Sequence, residues 1–102
     1  MTPPLSSLPT TVHYSITAEA HPGALPRVLE LFALRGITPD RVKAHQYKQR
    51  GFIQENLSID IHVTGLGPHE QDIIFHKLAE QISVRTVRNE ILFQKSQPKL
   101  AS

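Results

Sequence analysis

His21-Pro22-Gly23-Ala24-Leu25-Pro26-Arg27-Val28-Leu29-Glu30-Leu31-Phe32-Ala33-Leu34-Arg35-Gly36-Ile37 is the stretch that decides how this chain folds. Pro22-Gly23 opens it as a turn. Leu25, Val28, Leu29 and Phe32 then recur at helical spacing, which puts them on one face. Pro26 falls in the first turn, where a missing N–H costs little. Gly36, followed by Ile37, is the left-handed stop. The spacing predicts a helix from Ala24 to Arg35, and Arg27 and Arg35 are expected as solvated charges on its outer side. Such a helix start carries unpaired backbone N–H groups, a place where a small anion can be held.

Upstream, Val12, Tyr14, Ile16 and Ala18 alternate with His13, Ser15 and Thr17, the period of a half-buried strand. Met1 to Thr11 holds Pro3, Pro4 and Pro9 and reads as a loose arm. Downstream, residues 40 to 50 form a polar strand that follows Pro39 and suits a sheet edge. Arg50-Gly51 marks a turn. Residues 54 to 64 alternate most clearly, with Leu57, Ile59, Ile61 and Val63 on one side, and belong at the sheet centre. Gly65-Leu66-Gly67-Pro68 leads into a helix from His69 to Gln81, with Ile74, Leu78 and Ile82 expected on one stripe beside Phe75. A last strand runs from Val84 to Phe93, and residues 94–102 read as a frayed tail. The domain proper therefore spans residues 12–93.

The order βαββαβ with short turns and right-handed crossovers leaves few topologies. The expected fold is an α+β, ferredoxin-like sandwich: an antiparallel sheet ordered 4-1-3-2 with both helices on one face. The other face, rich in Ser, Thr and His, is left to water or a partner.

Composition narrows the function. The chain has 102 residues, no cysteine and a formal net charge of +2. Disulfides, thiolate metal sites and thiol nucleophiles are excluded. The sequence pI is about 9.2, but the basic residues are scattered, where a nucleic-acid binder more often shows a dense stripe. There is no signal-peptide pattern and no membrane-length apolar run, so the expectation is a cytoplasmic protein that binds neither nucleic acid nor membrane. A metal-carrier reading of this fold needs a CxxC loop. An RNA reading needs stacking aromatics on the central strands, yet Tyr14 has core parity. An acylphosphatase-like enzyme needs an arginine among several glycines after the first strand, and here one glycine precedes an arginine placed inside the helix. Six histidines are present, of which His13 and His62 should be neighbours on the open face and His69 and His76 lie two turns apart on the second helix. None has tight ligand spacing, so no metal site and no cofactor are expected.

The run Pro22 to Ile37 resembles the first loop and helix of an ACT domain. Within that superfamily it is similar to the short, single-domain small regulatory subunit of acetolactate synthase, with Pro22-Gly23-Ala24-Leu25, Arg27-Val28 and Leu31-Phe32…Arg35-Gly36 carrying the likeness. The resemblance extends more loosely to about Phe93. It implies a regulatory protein without catalytic residues, a homodimer joined through the edge strand, and a catalytic large subunit as partner. It also implies a small amino-acid effector at the first loop. The amides of Gly23, Ala24 and Leu25 would take its carboxylate, and Leu25 and Ile37 would offer apolar wall. Ligand-binding members usually carry Asn or Asp in that loop and Asn after the helix-ending glycine. Here Ala20 or His21 fills the first place, and Thr38 followed by Pro39 the second. His21 and Thr38 are the available substitutes. A module that keeps the fold without ligand response, or one serving another partner, is the alternative.

Overall fold

The computed structural model describes residues 10–92. Six elements follow in order: β1 (Thr11–Glu19), α1 (Ala24–Leu34), β2 (Arg41–Lys48), β3 (Glu55–Thr64), α2 (Pro68–Ala79) and β4 (Val84–Leu92). They form one four-stranded antiparallel sheet ordered β2-β3-β1-β4, which is 4-1-3-2 read from the other edge. The fold is the expected ferredoxin-like sandwich. The arm assigned to residues 1–11 lies outside the described residues up to residue 9, and so do Phe93 and the tail. Thr11 is a correction: it is the first residue of β1, paired with Thr64 and Leu92.

Strand alternation builds the core. Val12, Tyr14, Ile16 and Ala18 of β1 lie opposite Val63, Ile61, Ile59 and Leu57 of β3. All but Leu57 are buried, against Ala24, Val28, Leu31 and Phe32 of α1 and Ile74 and Leu78 of α2. Leu25 and Leu29, expected in the core, are half-buried at its margin, while Leu31 takes an inner place. The Tyr14 ring meets Phe32 edge-on at 5.9 Å, and its hydroxyl donates to the Gln71 carbonyl at 2.8 Å. One residue thus ties the sheet centre to both helices.

Gly36, at φ +71°, ends α1 in the left-handed region. Its N–H donates to Ala33 O (3.0 Å), and the Ile37 N–H donates to Phe32 O (2.9 Å). Both bonds satisfy carbonyls that the helix end would leave unpaired. Arg35, read as a solvated charge, instead reaches Glu70 in the first turn of α2 at 2.6 Å. Cation and carboxylate each sit at the helix end whose dipole favours them.

Two further differences concern helix and strand ends. α2 starts at Pro68, a favoured first helical residue, and stops at Ala79. Ile82 therefore leaves the apolar stripe and is fully exposed. The chain there is already turning into the sheet, with Ser83 O accepting from Glu19 N–H at 2.7 Å. In β4 the pairing with β1 shifts between Thr17 and Ala18, so Arg85 bulges out. Its guanidinium bonds Asn56 Oδ1 (2.9 Å) and Gln54 Oε1 (3.1 Å).

Candidate functional site

The loop between β1 and α1 folds on itself before it meets anything else. Gly23 N–H donates to His21 Nδ1 at 3.1 Å, and Ala24 N–H donates to His21 O at 3.0 Å. His21 thus occupies two of the three amides that the sequence offers to a carboxylate. Pro26 has no N–H, which leaves Leu25 N–H as the amide of this turn with no protein acceptor among the described residues. Gly23 has φ −86°, and a Cβ built on it would stand 3.4 Å from His21 Cε1, an ordinary contact. Neither a left-handed backbone nor a close approach requires glycine here. Ala24 is fully buried in the core and its N–H is taken by His21 O, so it offers a ligand no group.

What the loop does build is a cleft. Ala20, His21 and Pro22 close a cavity of about 380 Å³ against Gln46 of β2 and Leu57 of β3. The register explains why these two complete it: Gln46 lies opposite Leu57, and Leu57 opposite Ala18. Leu57 supplies an apolar floor. Gln46, which donates to Glu55, supplies an amide. Because His21 Nδ1 accepts from Gly23, the proton of the neutral ring sits on Nε2, which is then a donor. Gln46 and Leu57 escape a reading of the sequence by motif. The signal that finds them is the hairpin turn at Arg50-Gly51, which sets the β2–β3 register.

Ile37 and Thr38 lie at the other end of the sandwich. The eleven residues of α1 span about 16 Å at 1.5 Å each, and Asp40 N–H already bonds His62 O at that end. The six sequence-derived site residues therefore divide into His21, Gly23, Ala24 and Leu25 at one end and Ile37 and Thr38 at the other. Ile37 is half-buried against the core. Within one protomer the two groups share no cleft.

The open sheet face brings His13 and His62 together, as their strand parity predicts. Their rings stack at 4.4 Å with a 4° interplanar angle. His13 Nε2 lies 2.7 Å from Asp60 Oδ1, so Asp60 is engaged rather than a simple solvated charge. His62 Nδ1 is buried without a hydrogen-bond partner among the described residues. Burial first, then His13 and Arg41, hold the His62 imidazole below its usual pKa, against the opposing pull of Asp60 and Asp40. Among the described residues no three His, Cys, Asp or Glu side chains converge as a metal-binding group, and no helix is long and apolar enough to cross a membrane.

Solved structures with this architecture include the ACT domain from GTP pyrophosphokinase of Chlorobium tepidum. It has a TM-score of 0.64 at 10% identity, covering 81% of this chain and all of that one. A homoserine dehydrogenase from Thiobacillus denitrificans matches at TM-score 0.59 and 17% identity, over 86% of this chain and 18% of that chain. A putative PII-like signaling protein from Thermus thermophilus matches at 0.53 and 16% identity, over 84% and 90% of the two chains. At these identities the likeness is one of fold. No curated protein matches in sequence. The family model described as an ACT-like domain matches residues 6–96, most of the chain, and this protein therefore belongs to the ACT-like domain family.

Proposed function

We propose that this chain is a non-catalytic regulatory protein that holds a small amino acid in the His21 cleft and adjusts the activity of a larger enzyme. ACT domains are typically regulatory modules that sense amino acids. The observation that carries the reading here is the cleft itself. Its volume of about 380 Å³ lies at the lower end of the roughly 300–1,000 Å³ of small-molecule sites. Its lining suits an aliphatic amino acid: the His21 ring and the Gln46 amide offer polar partners for the carboxylate and amino group, Leu57 offers apolar wall to the side chain, and the unpaired Leu25 N–H lies nearby at the start of α1. The finer assignment rests on the likeness of Pro22 to Ile37 to the small subunit of acetolactate synthase. On that assignment the partner is the thiamine-diphosphate-dependent large subunit, and the effectors are the branched-chain amino acids.

Reconstitution tests this. Adding the purified chain to an acetolactate synthase large subunit from the same host is expected to change its rate, and a branched-chain amino acid to change it further. His21→Ala is expected to remove the second effect and leave the first. Co-purification with an unrelated enzyme, and no effect on the synthase, would keep the module and discard this partner.

A further inference from the structure

The bulge in β4 aims one side chain across the sheet. Pairing with β1 shifts between Thr17 and Ala18, and Arg85 is the residue left over. Bulges of this kind re-aim the side chain they carry, and Arg85 reaches over β1 to the start of β3. There its Nε donates to Asn56 Oδ1 at 2.9 Å and its Nη2 to Gln54 Oε1 at 3.1 Å. The turn after β2 closes on the same place, folded by a bond from Phe52 N–H to Gln49 O at 3.0 Å. Gln49, Phe52, Gln54, Asn56 and Arg85 enclose a cavity of about 170 Å³. Asn56 lines this cavity and its neighbour Leu57 the His21 cleft, so the two lie on opposite faces of β3.

The hydrogen bonds fix the polarity of the lining. A guanidinium only donates, so Asn56 and Gln54 turn their oxygens to it and are left with their NH₂ groups. Nε and Nη2 share one edge of the guanidinium, and that edge is spent. The parallel N–H pair on the Nη1–Nη2 edge is not, and it matches the two oxygens of a carboxylate. Asn56 is only 8% exposed, and a donor held there gains from an acceptor in the cavity. Phe52 adds an apolar wall, and among the described residues no carboxylate lines the space. The register sets Glu19 beside Asn56 on this face, yet among the described residues it forms no ion pair with Arg85. Arg50 belongs to the enclosing turn. Lys43, Asp60 and Arg88 lie level with Ser15, about 13 Å along the strand from Glu19 and beyond a Debye length at ordinary salt.

We propose that this cavity binds a carboxylate carried on a short apolar stem. Its two oxygens take the free edge of Arg85, the Asn56 and Gln54 amides donate beside them, and the stem lies against Phe52. A free short-chain acid and a glutamate side chain of a partner protein share this chemistry. The volume, below the roughly 300–1,000 Å³ of small-molecule sites, limits the ligand to a few heavy atoms. The enclosing residues lie in the turn, at the start of β3 and in β4. A second copy paired along the outer edge of β2 therefore leaves the composition of the site unchanged. The site also stands apart from the His21 cleft and does not rest on reading that cleft as an effector site.

The test follows the Arg85 Nε–H signal and the Asn56 and Gln54 side-chain amide signals of the full ¹⁵N-labelled chain. Sodium propionate, N-acetyl-glutamate N-methylamide and inorganic phosphate are added in separate titrations. Saturable shifts at these groups are expected with at least one of the two carboxylates at millimolar concentration. Propionate alone identifies a free acid, the glutamate derivative alone a protein side chain, and binding of both upholds the site for either source. Arg85→Gln should weaken binding about tenfold or more. Arg85→Lys keeps the charge, loses the fork and should weaken it about as much. Phe52→Ala, in an exposed turn, leaves the fold intact and should weaken it too. Glu19→Gln removes the neighbouring negative charge and should tighten binding about two- to threefold. Absence of shifts with both carboxylates overturns the proposal. So does binding undiminished by the Arg85 substitutions, which leaves Arg85 a strut between strands, or phosphate binding tighter than either carboxylate. His21→Ala should change none of these results, so this site and the effector cleft fail separately.

Discussion

Tyr14 stands at the point where the sheet meets both helices. Its ring fills the core and its hydroxyl reaches the Gln71 carbonyl. Burial, with the Glu70 and Asp72 carboxylates nearby, pushes its phenol up to about 12. Tyr14→Phe keeps the ring and deletes one buried hydrogen bond, so it should cost about 0.5–1.5 kcal/mol, read by urea denaturation as a lower midpoint with unchanged slope. His62 gives the pH dependence. Its folded pKa lies below the usual value of 6.5, so between the two values the unfolded chain binds more protons. Its contribution is complete above about pH 6.5 and is lost as pH falls toward the folded pKa. Thermal midpoints should drop from pH 7.5 to pH 5.5, and His62→Gln should flatten that part of the curve. A curve unchanged by the substitution would place the sensitivity elsewhere.

Among the elements, α1 shows what a sequence reveals of its own structure. Its stop was legible because it is local: Gly36 alone supplies φ +71° and the two closing hydrogen bonds. Gly36→Ala should therefore cost about 1–2 kcal/mol, a fall of several degrees in melting temperature. Gly23→Ala, at φ −86°, should cost less than about 1 kcal/mol, through loss of a good N-cap residue. Equal effects would contradict the account of the loop. The start of α1 was legible only in part. Periodicity locates the first turn but says nothing of a side chain folding back, and so the capture of Gly23 by His21 lay beyond it. The end of α2 was missed for a related reason. Ile82 continues the apolar spacing, but the Ser83–Glu19 bond pulls the chain into the sheet soon after Ala79 and Glu80.

At the scale of the whole molecule, the sandwich follows from element order and from two clean alternations, in β1 and β3. Which residues form the cleft does not, because Gln46 and Leu57 join His21 only through sheet register, and Ile37 and Thr38 are carried away by the length of α1. The central claim is that this ACT domain is a sensor with its effector seated between the first loop and the β2–β3 pair. An amide chemical-shift titration of the intact chain with leucine, isoleucine and valine at millimolar concentration tests it most directly. Saturable shifts confined to Ala20, His21, Leu25, Gln46 and Leu57 are expected with at least one of the three. No shift at these residues, or shifts centred on the cleft lined by Arg27, Glu30 and Ser83, would contradict it.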